Sequence, residues 1–147
     1  MAEHTSRKMV IRACPDDCFE VVSNFSSYPL WASDIKEVNV LELDDLGRPH
    51  LVSFRAAAFG RSSNYTLKYD YSKAPYEISW YQIEGDITSR LEGSYVFDSM
   101  GHQDTEVTYY LDVELGVPLP SFVKRRAQSR IVSTALEELR ARVEVSN

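Results

Sequence analysis

Between residues 64 and 71 the chain alternates strictly, with Tyr65, Leu67, Tyr69 and Tyr71 on one face and Asn64, Thr66, Lys68 and Asp70 on the other. A two-residue period is that of a strand with one side buried and one side wet. The same period returns in three later runs: Ile78 with Trp80, then Leu91, Gly93, Tyr95 and Phe97, then Val107, Tyr109, Leu111 and Val113. Ala74-Pro75, Gly85-Asp86 and the stretch from Gly101 to Asp104 separate these runs with turn chemistry. Connections of hairpin length predict an antiparallel sheet. Upstream, residues 5–13 read as a first strand ended by Pro15. Asp16 or Asp17 then caps a short helix carrying Phe19, Val21, Val22 and Phe25. Tyr28-Pro29 stops it, and a second helical turn follows from Leu30 to Ile35. Val38 to Leu43 and Leu51 to Ala57 form two more strands around the turn Asp44-Asp45-Leu46-Gly47-Arg48.

After Pro118 and Pro120 the period changes. Val123, Ala127, Ile131, Ala135, Leu139 and Val143 recur at helical spacing, with Val132 and Leu136 widening the stripe. Pro120 or Ser121 opens this helix. From Pro120 to Val143 it would run about 36 Å at ~1.5 Å per residue. Only the sheet is large enough to cover its apolar face, so the helix lies across the concave side. The fold class predicted is α+β, a helix-grip arrangement: a curved antiparallel sheet of about seven strands around a long C-terminal helix, with two short helices after the first strand. No repeat, low-complexity tract or Gly/Ser linker divides the sequence, so residues 1–147 read as one domain.

Charge and composition narrow the function classes. A balance of 16 basic and 22 acidic residues gives a formal charge of −6, which repels a nucleic-acid backbone. The N-terminal segment lacks the apolar core of a secretion signal, and no apolar run approaches the ~20 residues needed to cross a bilayer. A cytoplasmic protein is expected. Cys14 and Cys18 have no second cysteine pair, and His4, His50 and His102 are scattered, so two reduced thiols and no metal site are expected. There is no nucleophile elbow and no phosphate-binding Gly loop.

The aromatic share changes the picture most, because nine Tyr, six Phe and two Trp need somewhere to sit. Superposing the inward faces puts Tyr65, Tyr69, Tyr71, Trp80, Tyr95 and Tyr109 on one side of the sheet, opposite the helix. A packed core prefers Leu, Ile, Val and Phe, since each buried phenol or indole without a hydrogen-bond partner loses ~1–3 kcal/mol. Small residues at Ala127 and Ala135, and Gly93 in the sixth strand, leave room between sheet and helix. The wall expected around a hydrophobic guest is therefore Tyr65, Tyr69, Trp80, Tyr95 and Tyr109, joined by Phe54 on the third strand, Ala127 and Ile131 on the helix, and Trp31 at the rim. Phe59 and Gly60 would form a flap at the mouth. The competing expectation is that the rings fill a thick core and that Gly93 marks a bulge.

Several segments carry a family likeness: Pro15-Asp16-Asp17-Cys18-Phe19-Glu20-Val21-Val22, Tyr28-Pro29-Leu30-Trp31, the strand and turn from Val38 to Gly47, Gly93-Ser94-Tyr95-Val96-Phe97, Thr105-Glu106-Val107-Thr108-Tyr109, and Val117-Pro118-Leu119-Pro120-Ser121-Phe122-Val123. In this order and spacing the chain resembles the polyketide cyclase/dehydrase and lipid-transport branch of the START-like superfamily, and is similar to coenzyme Q-binding proteins. The resemblance covers nearly the whole chain. It implies the helix-grip fold and a ligand such as a lipid, a quinone or a polyketide, without a cofactor. Only some members catalyse a reaction, so binding or carriage stands beside an aromatase/cyclase-dehydratase activity in the same cavity.

A proton-transfer enzyme needs a His, Arg, Tyr or carboxylate aimed into that cavity. The inward faces legible in the sequence hold no His or carboxylate. Gln82, Glu84, Arg55 and Arg90 are the candidates near the rims, no catalytic residue is assigned, and carriage is preferred. Lys124, Arg125, Arg126 and Arg130 crowd the first turns of the long helix, where the macrodipole disfavours cations. Two expectations follow: pairing with Asp112 and Glu114 on the preceding strand, or docking on an anionic membrane surface or headgroup.

Overall fold

The computed structural model describes residues 3–58, 61–116 and 118–146. Strand β1 (Glu3–Ile11) leads into helix α1 (Pro15–Ser23), a 3-10 turn (Phe25–Ser27) and the short helix α2 (Tyr28–Trp31). Six strands follow: β2 (Ile35–Leu43), β3 (Pro49–Ala58), β4 (Arg61–Asp70), β5 (Glu77–Gly85), β6 (Thr88–Ser99) and β7 (Thr105–Leu115). Helix α3 (Ser121–Ser146) closes the chain over 26 residues. The expected flap residues Phe59 and Gly60 lie outside the described residues, as does Val117.

All seven strands form one sheet in the order β1-β7-β6-β5-β4-β3-β2, each pair antiparallel. Consecutive strands from β2 to β7 are neighbours, as hairpin-length turns require, and β1 adds to the free edge of β7. Register shifts interrupt the β2–β3, β4–β5 and β6–β7 ladders. Such irregularities bend strands and raise local twist, which lets the sheet curl around a helix. Thr66 departs from the predicted wet face: it stands at the β4–β5 shift and is buried.

Helix α1 starts differently from the expectation. Cys14, in extended conformation, is the cap residue and makes no side-chain capping bond; Pro15 fills the first helical position, and Asp16 and Asp17 sit in the first turn. Proline's fixed φ suits that position, and the two carboxylates face the positive end of the helix dipole. Both cysteines are free thiols, and Cys18 is fully buried.

One fully buried cluster joins α1, β1, β6 and β7 to α3. Ile11, Val22, Phe97 and Val107 are sealed from solvent together with Val132, Leu136, Leu139 and Val143 of α3. Thr105 reinforces this region by donating its hydroxyl to the Ala13 carbonyl at 2.6 Å. Helix α3 is seated over β1 and β7, with α1 and α2 against its far half. Its strand contacts are chiefly with β1 and β7, whereas Phe25 of the 3-10 turn and Tyr28 of α2 reach Phe54 and Tyr69 on the concave surface of β3 and β4.

Candidate functional site

The buried edge of α3 consists of Gln128, Val132, Leu136, Leu139 and Val143. The parallel line Val123, Ala127, Ile131 and Ala135 is only half-buried and borders a cavity of about 480 Å³. The single apolar stripe read from the sequence is thus two stripes with different duties. One packs on β1 and β7, and the other forms the roof of a void whose floor is β3 to β7. Nothing in a helical period separates the two, because both satisfy it.

The floor is aromatic. Phe54 stacks on Tyr65 with ring centres 5.5 Å apart. Trp80 contacts Tyr69 at 5.9 Å, Tyr95 at 5.5 Å and Tyr109 at 5.8 Å. All of these border the cavity, as do Trp31, Ala127 and Ile131. Tyr71, expected on the same inward face, does not. Its hydroxyl donates to the Pro49 carbonyl, and its ring lies 6.4 Å from Phe19 and 4.7 Å beneath the Arg48 guanidinium, so it belongs to the packed end of β4.

Gly93 has a different role from simple removal of bulk. Its ladder partners Trp80 and Leu111 stay in register, so it is not a bulge. A Cβ at this position would sit 2.6 Å from Trp80 Cζ2 and 2.6 Å from the Tyr110 carbonyl oxygen. The missing side chain lets the indole lie flat on β6 instead of standing up into the void.

The phenol hydroxyls divide into two groups. Tyr28 donates to the Val22 carbonyl and Tyr71 to Pro49, both inside the protein. Tyr65, Tyr69, Tyr95 and Tyr109 make no hydrogen bond to any described residue and border the cavity. Burial, the largest effect, pushes the phenols of Tyr69 and Tyr95 well above their ordinary value of 10.0, with neighbouring tyrosines adding to it. Tyr65 and Tyr109 are raised for the same first reason, and the Asp34 charge adds to the effect at Tyr65. All four therefore remain neutral hydrogen-bonding groups at ordinary pH, not proton acceptors.

The sequence singled out Arg126 and Arg130 but missed the rest of the polar rim. Asp34, at the α2–β2 junction, and Arg126, Arg130, Thr134 and Glu138, along one line of α3, also border the cavity. Two carboxylates therefore reach an opening for which none had been legible. Both oxygens of Glu138 accept the Ser33 backbone N–H, at 3.1 and 3.3 Å. The expected pairing of the basic cluster with Asp112 and Glu114 does not occur. Both acids instead face Arg90 on the outer side of the sheet, Asp112 at 2.9 Å and Glu114 at 3.7 Å. Arg90 is thereby removed from the cavity, and so are Arg55, which pairs with Glu37, and Gln82, which bonds to Thr88. Lys124 and Arg125 do not border the cavity.

A second, polar cavity of about 300 Å³ lies between α1 and the end of α3, lined by Asp17, Glu20, Asn24 and Arg142 among others. Trp31 borders both hollows and separates them, and its enclosed Nε1–H has no partner among the described residues. Among the described residues no group of three or more His, Cys, Asp or Glu could hold a metal ion. No helix among them is long and apolar enough to cross a membrane.

Residues 11–140 match the family model described as "Polyketide cyclase / dehydrase and lipid transport". The chain belongs to this family. This member of the polyketide cyclase/dehydrase and lipid-transport family shares its fold with several solved structures. A START superfamily protein from Mycobacterium smegmatis superposes with a TM-score of 0.93 at 23% identity, covering 98% of this chain and 99% of that one. The Zhui aromatase/cyclase of a Streptomyces species gives 0.86 at 15% identity, covering 98% and 94%. A protein from Thermus thermophilus gives 0.84 at 19% identity, covering 99% of each. These likenesses are of fold. No curated protein matches the chain.

Proposed function

We propose that this member of the family binds and carries a hydrophobic small molecule that bears hydrogen-bonding oxygens or nitrogens. The observation that carries the reading is the set of four phenol hydroxyls, on Tyr65, Tyr69, Tyr95 and Tyr109, that border the cavity without a partner among the described residues. An apolar wall supplies the driving force for a guest, and a few fixed polar groups orient it. A volume of about 480 Å³ lies within the ~300–1,000 Å³ usual for small-molecule sites. Phe54, Trp80, Trp31, Ala127 and Ile131 complete the contacts we assign to the guest.

Asp34 favours a second reading, because its carboxylate lies on the rim near Tyr65. A carboxylate and a phenol at a cavity mouth could move protons in a cyclase/dehydrase acting on a polyketide, a reading in line with the aromatase/cyclase name of the Streptomyces neighbour. Carriage is preferred because the polar groups deeper in the cavity are neutral phenols, hydroxyls and an amide, and the phenols at their raised pKa take up no proton.

Nile red, a neutral solvatochromic dye, tests the carrier reading. Wild-type protein should shift and brighten its emission on titration. Ala127→Trp, which fills the cavity from the α3 side, should weaken that binding at least about tenfold while leaving the circular dichroism spectrum intact, since tenfold is about 1.4 kcal/mol of lost contact. No dye response in the wild type, or an unaltered response in Ala127→Trp, counts against the cavity as the site. Turnover of a poly-β-ketone that stops in Asp34→Asn would favour the enzyme.

A further inference from the structure

The carrier reading leaves the guest's polar end undefined, and the rim supplies it. The four cations at the start of α3 divide by direction: Arg126 and Arg130, one helical turn apart, border the cavity, whereas Lys124 and Arg125 do not. Among the described residues neither Arg126 nor Arg130 forms an ion pair or hydrogen bond. The acids that could have neutralised them are engaged elsewhere, Asp112 and Glu114 with Arg90 and Glu138 with the Ser33 backbone. Like charges four residues apart on a helix repel. The pair is therefore unfavourable for α3 itself, and an anion placed between the two guanidinium groups would relieve the repulsion.

The interior imposes the complementary condition. Its floor offers neutral phenol hydroxyls and apolar rings, with no cation to meet a buried negative charge. A charge carried deep would lose its hydration uncompensated, whereas one held at the rim keeps partial contact with water and gains two planar fork-shaped donors. Asp34 on the β2 side and Glu138 two turns farther along α3 also border the opening and repel an anion, which leaves the Arg126–Arg130 end of the mouth as its favoured place.

We infer that the guest is an anionic amphiphile, its hydrocarbon or ring body inside the cavity and a carboxylate at the mouth, held by Arg126 and Arg130. The inference rests on the carrier reading and adds a charge and an orientation to it.

cis-Parinaric acid and its methyl ester, titrated in membrane-free buffer and followed by polyene fluorescence, test it. The acid should bind at least about tenfold more tightly than the ester, the return expected from charge-assisted hydrogen bonds at a partly exposed site. In Arg126→Gln/Arg130→Gln the acid should fall to the affinity of the ester, with ester and Nile red binding unchanged. Added salt should weaken the acid alone. Equal binding of acid and ester by the wild type would overturn the inference while leaving the carrier reading intact, and so would an acid preference that survives in the double variant. Failure of acid, ester and Nile red alike would overturn the carrier reading together with it.

Discussion

At the scale of single residues, the cavity depends on one absent side chain. Trp80 can lie along β6 only because Gly93 offers no Cβ, and its flat position leaves the space above it to a guest. Gly93→Ala would place a methyl group 2.6 Å from both the indole and the Tyr110 carbonyl. The carbonyl belongs to the sheet and cannot move freely, so the indole must tilt into the void. Overpacking of this kind costs ~1–3 kcal/mol. The expected result is a lower midpoint of chemical denaturation by that amount and weaker Nile red binding, with Trp80→Phe in the Gly93→Ala background recovering part of both. A Gly93→Ala protein as stable as wild type would show that the contact is not tight. The sequence shows that Gly93 interrupts an aromatic face, but not that the ring filling the gap comes from the neighbouring strand. That depends on register, which a single strand's alternation does not set.

At the scale of elements, strands and the long helix were legible because their apolar periods are strong, and the curvature and most of the rim were not. The β2–β3 shifts leave no clear trace in a run such as Val38 to Leu43, and the position of α3 toward β1 and β7 emerges only from packing. Asp34 and Glu138 were missed for the same reason: the first lies in a loop and the second on the polar side of a helix, and tertiary folding brings both to the opening. Glu138 also joins two elements. By accepting the Ser33 N–H with both oxygens it fastens the α2–β2 connection, and with it Asp34 and the wall beside Trp31, to α3. Glu138→Ala should cost global stability less than about 1.5 kcal/mol, the usual net worth of one hydrogen bond. It should nevertheless speed hydrogen exchange at Ser33 and Ala57, whose N–H donates to the Asp34 carbonyl, and raise the dissociation rate of bound Nile red. Unchanged exchange at both amides would show that the contact fastens nothing.

At the scale of the whole molecule, the aromatic interior makes stability depend on alkaline pH in a definite direction. Burial pushes the Cys18 thiol from 9.0 up to about 11, opposed in part by its bond to Thr105. Burial likewise raises the phenols of Tyr28, Tyr65, Tyr69, Tyr95 and Tyr109 above 10.0. Each of these acids loses its proton more readily in the unfolded chain than in the fold. Above the unfolded values the native state binds more protons, so the free energy of unfolding must fall as pH rises. Below about pH 8 all six groups are protonated in both states and contribute no slope. Cys18 begins the loss near pH 9, and above pH 10 each phenol adds up to ~1.4 kcal/mol per pH unit. Against a net stability on the order of 5–15 kcal/mol, several such groups acting together remove a large part of it by pH 11. Thermal midpoints measured from pH 7 to 11 should be flat to about pH 9 and then drop steeply. Cys18→Ala should delay the onset by about one pH unit without changing the steep part, because its 9.0 reference lies one unit below that of tyrosine. A midpoint that stayed level to pH 11 would mean that water reaches the phenols as freely in the fold as in the unfolded chain, and the floor of the cavity would then be no place for an apolar guest.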